Sequence, residues 1–346
     1  MKPDKKTIII KNPDERDLQF CASVIKRGGL VAFPTETVYG IGADALNEDA
    51  VRGIFLSKNR PADNPLILHL ADVRDIHKFC TDVPVDLNSL KRFMPGPLTL
   101  VLKKSLCVPD LTSAGLPTAA VRVPSNKTAR RLIKMSETAI AAPSANRSGR
   151  PSPTKAQHVI DDLYGLVDVI IDEGSSEIGV ESTVVDLSSD TPVILRPGII
   201  SAEDLSAVFP GIILPHSSSG KNRALGEDYI GEGAPKAPGM KYRHYAPAAP
   251  LYIVGDIQSF ALKISKEYPP ETKFGILSLD ENINLPDNFT VKNLGASERA
   301  QAQRLFAFLR EFDDLGVELI FAPKLCGKNL SQAVANRLYK AASYIE

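Results

Sequence analysis

Between Asp14 and Arg27 the apolar residues Leu18, Cys21, Ala22, Val24 and Ile25 recur at helical spacing, and Gly28-Gly29 supplies a stop before the apolar run Leu30 to Phe33. The expectation is a helix feeding a buried strand. Asn47 is placed to cap a second helix with Val51, Ile54 and Phe55 on its inner face, and Leu66 to Leu70 reads as the next strand. The same reading gives strands at Leu98 to Leu102, Ala119 to Val123, Ala139 to Ala142, Val167 to Ile171, Thr183 to Leu187 and Val193 to Leu195. Helices are expected over Thr128 to Ser136 and Lys155 to Tyr164. This irregular mixture predicts an α/β fold on an open, twisted sheet of parallel and antiparallel pairs.

Soon after Phe209 the periodicity gives way to a stretch rich in Gly, Pro and Ser, so residues 210–249 are expected to form a linker. Beyond it, strands at Leu251 to Val254, Lys273 to Leu279 and Val317 to Phe321, with helices at Ser297 to Phe312 and Gln332 to Tyr344, predict a smaller Rossmann-like α/β domain over 250–346. At 346 residues the chain is long for one hydrophobic core, which agrees with a separate first domain over 1–209.

Equal counts of 41 basic and 41 acidic residues argue against a general nucleic-acid coat protein. The balance is uneven, with 17 Lys/Arg against 7 Asp/Glu from Arg52 to Ile160. A cleft for a polyanionic small molecule gives such a bias, and so does dispersed surface charge. The four cysteines are scattered, and the five histidines include no HxxxH or HxH pair, so no metal site built from protein ligands is expected. No apolar run approaches the roughly 20 residues of a membrane span, and MKPDKKTIII lacks the apolar core of a secretory signal. A cytoplasmic protein is expected.

There is no G-x-S-x-G elbow, no Walker A sequence and no familiar Cys/His pairing. Gly40-Ile41-Gly42-Ala43-Asp44-Ala45 fits the weak G-x-G-x-x-A dinucleotide fingerprint, but the helix cap at Asn47 comes after its glycines have passed. What remains are positive and hydroxyl groups. Lys58 and Arg60 lie at the end of the second helix before Pro61, where they are read as solvent-facing, and serve either as an anion grip or as cations complementing the helix dipole. Ser144, Asn146 and Arg150 follow a short strand among small residues, as a ligand loop or an ordinary turn. Arg122 and Arg196 each end an apolar strand, at a binding crevice or as edge-strand charges. Glu181-Ser182-Thr183 stands before another apolar run and offers hydroxyls to a small zwitterion, or caps a strand turn.

Taken together, PTETVYGIGADA, Lys58-x-Arg60-Pro61-x-x-Asn64-Pro65-Leu66, Pro95-Gly96-Pro97-Leu98-Thr99, Val121-Arg122-Val123-Pro124, Ala142-Pro143-Ser144-Ala145-Asn146, Gly179-Val180-Glu181-Ser182-Thr183 and Leu195-Arg196-Pro197-Gly198 resemble, in order, the motifs of the threonylcarbamoyl-AMP synthase family. The stretch from Ala237 to Pro247 resembles that family's long, two-domain form. The resemblance implies a YrdC-like catalytic domain and the reaction of L-threonine, bicarbonate or carbon dioxide, and ATP with Mg2+ to give threonylcarbamoyl-AMP and pyrophosphate. It implies no organic cofactor. A functional link to the transferase that modifies transfer RNA follows, and direct RNA binding is not required.

By motif matching, Thr35, His69, Arg122, Ala142 and Ser182 are expected around threonine. Lys58, Arg60, Asn64, Thr118, Ser144, Asn146, Ser152, Arg196 and the linker residue Tyr229 are expected around ATP, with Lys58 and Arg60 as the catalytic cations and the linker as a lid. Two rival readings are an RNA-binding module using the basic excess without chemistry, and a carbamoyltransferase related to hydrogenase-maturation proteins, whose metal motifs are missing from this sequence.

Overall fold

The computed structural model describes residues 6–214, 236, 244–280, 283, 285–325, 327 and 329–346. Most of the expected linker, Tyr229 included, lies outside the described residues. The first domain carries β1 (Ile8–Lys11), α1 (Glu15–Lys26), β2 (Val31–Phe33), β3 (Gly40–Asp44), α2 (Glu48–Lys58), β4 (Ile67–His69), α3 (Ile76–Phe79) and β5 (Leu98–Lys103). It continues with α4 (Asp110–Ser113), β6 (Thr118–Arg122), α5 (Lys127–Ser136), β7 (Ile140–Ala141), α6 (Ala156–Leu163), β8 (Val169–Asp172), β9 (Thr183–Asp186), β10 (Val193–Arg196) and α7 (Ala202–Ser206). Its sheet has the order β1-β8-β2-β3-β7-β4-β6-β5-β9-β10. The pairs are mixed as expected, with β4 parallel to β6 and antiparallel to β7.

Alternation along the central strands separates a core face from a site face. On β4, Leu68 enters the main core while Ile67 and His69 face the other way, and on β6, Ala119 and Val121 enter that core while Ala120 and Arg122 do not. Four strands escaped the sequence pattern, two of them, β13 at Phe289–Asn293 and β15 at Tyr344–Ile345, in the second domain and two in the first. One is β1, at the sheet edge. The other is β3, whose glycines are steric: a Cβ on Gly42 would lie 2.5 Å from Ile140 Cγ2 and 2.7 Å from Phe33 Cε1. The fingerprint glycines thus serve sheet packing, on a strand antiparallel to β2, and open no helix.

The second domain contains β11 (Leu251–Val254), α8 (Ile257–Ser265), β12 (Phe274–Ser278), β13 (Phe289–Asn293), α9 (Glu298–Leu315), β14 (Leu319–Pro323), α10 (Asn329–Ala341) and β15 (Tyr344–Ile345). All its strand pairs are parallel, in the order β13-β12-β14-β11-β15. The two domains share apolar packing, because Val38, Ile178 and Val180 of the first belong to the core around Leu305, Phe306 and Leu338 of the second. Gly179, at φ +87°, permits the contact: a Cβ there would sit 2.4 Å from the Ala302 carbonyl oxygen of α9. Among the described residues no helix is long and apolar enough to cross a membrane.

Candidate active site

The site face of the central strands, the loop Thr35 to Tyr39, the end of α2 and the segment Pro143 to Ser152 enclose a cavity of about 60 Å³, with His244 and Tyr245 closing it from the linker side. Its lining includes Lys58, Arg60, Arg122, Arg150 and Arg196 against one carboxylate, Glu181. Four of these cations, Lys58, Arg60, Arg122 and Arg150, come from the basic window 52–160, so a positive cleft accounts for part of that excess and the rest of it lies elsewhere on the chain.

Lys58 departs from the solvent-facing reading: it is 1% exposed. The helical stripe Val51, Ile54, Phe55 continues one turn further to position 58, so α2 points the lysine inward. Its Nζ donates to the carbonyl oxygens of Ser144, at 2.5 Å, and Asn146. Burial, then the neighbouring positive charge of Arg60, push its pKa well below the ordinary lysine value, with Asp162 opposing and Arg310 adding to the shift. Arg60 is half-buried, and its Nη2 donates to the carbonyls of Asn64 and Pro65, both at 3.3 Å. The helix ends at Asn59 in the left-handed conformation, φ 51°, which turns Arg60 toward the cleft.

On the opposite wall, β4 and β6 deliver His69 and Arg122 side by side, as their register pairs them. Arg122 forms a buried ion pair with Glu36 at 2.9 Å. Burial raises the Glu36 pKa, but the Arg122 charge and hydrogen bond and the Ser125 amide outweigh it and hold the group below the ordinary carboxylate value. His69 is buried, and burial followed by the Arg122 charge drives its pKa down to about 3. The ring is neutral, and because the Ile67 carbonyl, 3.1 Å from Nδ1, can only accept, we assign the proton to Nδ1. Thr35 Oγ1 donates to the Val38 carbonyl at 2.6 Å, which closes the loop on itself.

The phosphate-suited segment is internally braced. Ser144 Oγ donates to Asn146 Oδ1 at 2.5 Å, and Asn146 Nδ2 donates to the carbonyls of Arg147 and Arg150, both at 2.8 Å. Ser152 Oγ donates to Glu181 Oε1 at 2.5 Å. The structure thus brings together, on one cavity, Thr35, His69, Arg122, Ala142, Lys58, Arg60, Ser144, Asn146, Ser152 and Arg196. Three expected residues stand off the lining. Asn64 is buried behind Arg60, and Ser182 lies one layer back, bonded to Thr99 Oγ1 at 2.7 Å and receiving Arg196 Nη2 at 3.2 Å. Thr118 opens β6, roughly 13 Å along the strand from Arg122. Two buried arginines of the second domain were missed. Arg310 donates to the Pro151 carbonyl and pairs with Asp162 at 2.6 Å, and Arg337 pairs with Glu181 at 3.1 Å. Nothing in the polar face of a helix pattern marks them.

Comparisons with known proteins place the chain in a family. Residues 23–198 match the Sua5, YciO and YrdC family model, described as telomere recombination, and residues 200–343 match one described as threonylcarbamoyl-AMP synthase, C-terminal domain. The chain is 44% identical to the threonylcarbamoyl-AMP synthase of Pyrococcus abyssi over 98% of both chains. It is 42% identical to that of Bacillus subtilis, over 93% of this chain and 91% of the relative. A crystal structure of Pyrococcus abyssi Sua5 complexed with L-threonine superposes with a TM-score of 0.85 at 42% identity, covering 98% of each chain. With both domain models matched in sequence order and the relatives aligned along nearly their whole length, the chain belongs to the threonylcarbamoyl-AMP synthase family.

Proposed function

We propose that this chain makes threonylcarbamoyl-AMP from L-threonine, bicarbonate and MgATP, releasing pyrophosphate, and so acts as a nucleotidyltransferase that supplies the carbamoyl donor for transfer RNA modification in the cytoplasm. The observation that carries the reading is the chamber itself: five cations and several hydroxyls around one carboxylate already paired to an arginine. Such a set suits charge neutralisation and positioning. The threonine complex of the Pyrococcus abyssi relative supports an amino-acid subsite on the same fold.

The chemistry balances without a protein nucleophile. The threonine amine and bicarbonate condense to an N-carboxylate with loss of water. A carboxylate oxygen then attacks the α-phosphorus, an O–P bond forms, the α–β phosphoanhydride bond breaks, and pyrophosphate leaves with the electron pair. Lys58 and Arg60 take the triphosphate, while Arg122 and neutral His69 take the threonine carboxylate and a polar hydrogen of the amino acid. The magnesium ion enters with the nucleotide as MgATP, held mainly by its phosphates. A pyrophosphate-release assay with each substrate omitted in turn tests the reading. Release requires all three together, and equal release without threonine would overturn it.

A further inference from the structure

We propose that Arg337 is a positioning residue for the nucleotide side of the cleft: through Glu181 it holds Ser152, so that the second domain completes the first domain's site. The proposal rests on the reading of Ser152 as an ATP contact and goes beyond it, by saying what fixes the hydroxyl and which part of the nucleotide it meets. Arg337 is fully buried, yet its guanidinium leaves its own domain. Nε donates to Glu181 Oε2 at 3.1 Å, Nη1 to the Pro197 carbonyl at 2.5 Å and Nη2 to the Glu181 carbonyl at 3.4 Å. The other oxygen of that carboxylate accepts from Ser152 Oγ at 2.5 Å. One carboxylate therefore links a helix of the second domain to a hydroxyl on the cavity wall. The neighbouring Pro151 carbonyl is gripped from the same domain by Arg310, at 2.6 Å.

The charge state gives the chain of contacts a direction. Burial would raise the Glu181 pKa, but Arg337 and Arg196 hold it below the ordinary value, so the group is an ionised, acceptor-only carboxylate. Ser152 must spend its proton on it. Its oxygen then offers only lone pairs to the cleft, which suits a ribose hydroxyl or the purine amino group and repels a phosphate oxygen. Arg337 thus acts on the nucleoside end of ATP, while Lys58 and Arg60 act on the phosphates.

The test uses the full chain with Arg337→Met, Arg337→Lys, Ser152→Ala and the Arg337→Met/Ser152→Ala double variant. Arg337→Met is expected to raise KM for ATP about tenfold or more, within the range for residues coupled in one network. Competitive inhibition by inorganic tripolyphosphate and KM for threonine are expected to stay near wild type, because neither ligand uses the nucleoside contact. Arg337→Lys keeps the cation and recovers part of the loss, and it carries the test if the methionine variant does not fold. In the double variant the methionine adds little to the effect of Ser152→Ala. Equal weakening of ATP and tripolyphosphate, or effects that multiply fully in the double variant, would overturn the proposal and make Arg337 domain glue. An unchanged KM for ATP in Ser152→Ala would instead remove Ser152 from the nucleotide site, and this proposal with it.

Discussion

A lysine as deeply buried as Lys58, with its side-chain nitrogen on two main-chain carbonyls, serves the structure, and the proposed reaction gives it a second, chemical task. Replacing it by alanine leaves the Ser144 and Asn146 carbonyls without their donor, a cost of about 1–3 kcal/mol, and on the proposed reading would also remove a phosphate contact, with a loss expected on the order of 100-fold in turnover. Arg60, half-buried, is expected to cost as much activity in Arg60→Ala and far less stability. Denaturant midpoints and kcat/KM measured side by side check the contrast. If both variants stay within a few-fold of wild-type activity, the two cations only complement the helix end. The depressed Lys58 pKa adds a pH signature, since an arriving triphosphate raises it again. MgATP binding is expected to take up protons increasingly as pH rises through the depressed value, and calorimetry in buffers of different ionisation enthalpy reads this directly. The uptake should vanish in Lys58→Met.

At the scale of elements, the regular pieces were readable wherever apolar spacing was strong. The cap at Asn47, the helix between Asp14 and Arg27 and the strands ending in Arg122 and Arg196 fall where the pattern placed them. β3 was not readable, because its glycines interrupt the apolar alternation, Gly42 making room for Phe33 and Ile140. The burial of Lys58 was readable but passed over, since the stripe from Val51 reaches it and only its charge argued for solvent. Arg310 and Arg337 had no signal at all. A buried arginine that pairs across 148 or 156 positions looks, in one sequence, like any solvated helix residue. The contact between Gly179 and α9 is equally silent. Gly179→Ala is expected to push the domains apart and to lower the urea midpoint well beyond Gly211→Ala, which shares the positive φ but meets nothing within 4 Å. Equal shifts in the two variants would mean that α9 yields without cost.

Across the whole molecule, three histidines set an acid limit. Burial drives His69, His158 and His244 from the ordinary 6.5 to about 3, so the unfolded chain binds more protons than the folded one between those values. Stability is complete above about pH 6.5 and declines as pH falls through that window toward 3. Melting temperature against pH should show the decline, and His158→Gln should flatten it. A melting temperature constant from pH 7 to 4.5 would refute the assignment.

Cutting the chain after Phe209 would uncover Val38, Ile178 and Val180 and strip Asp162 and Glu181 of their buried arginines. The first domain alone is therefore expected to be poorly stable as well as weakly active. Val38 has a further consequence, because with Thr37 and Tyr39 it lines the cavity and at the same time packs into the other domain's core. A swing of the second domain large enough to admit ATP must either drag this loop along or pull the valine out, at roughly 1.5–3 kcal/mol. If product leaves by such a swing, unloading and disarming are expected to be one event: the loop from Thr35 to Tyr39 would slacken as the cleft opens, and the next substrates would meet a loop that has to be rebuilt.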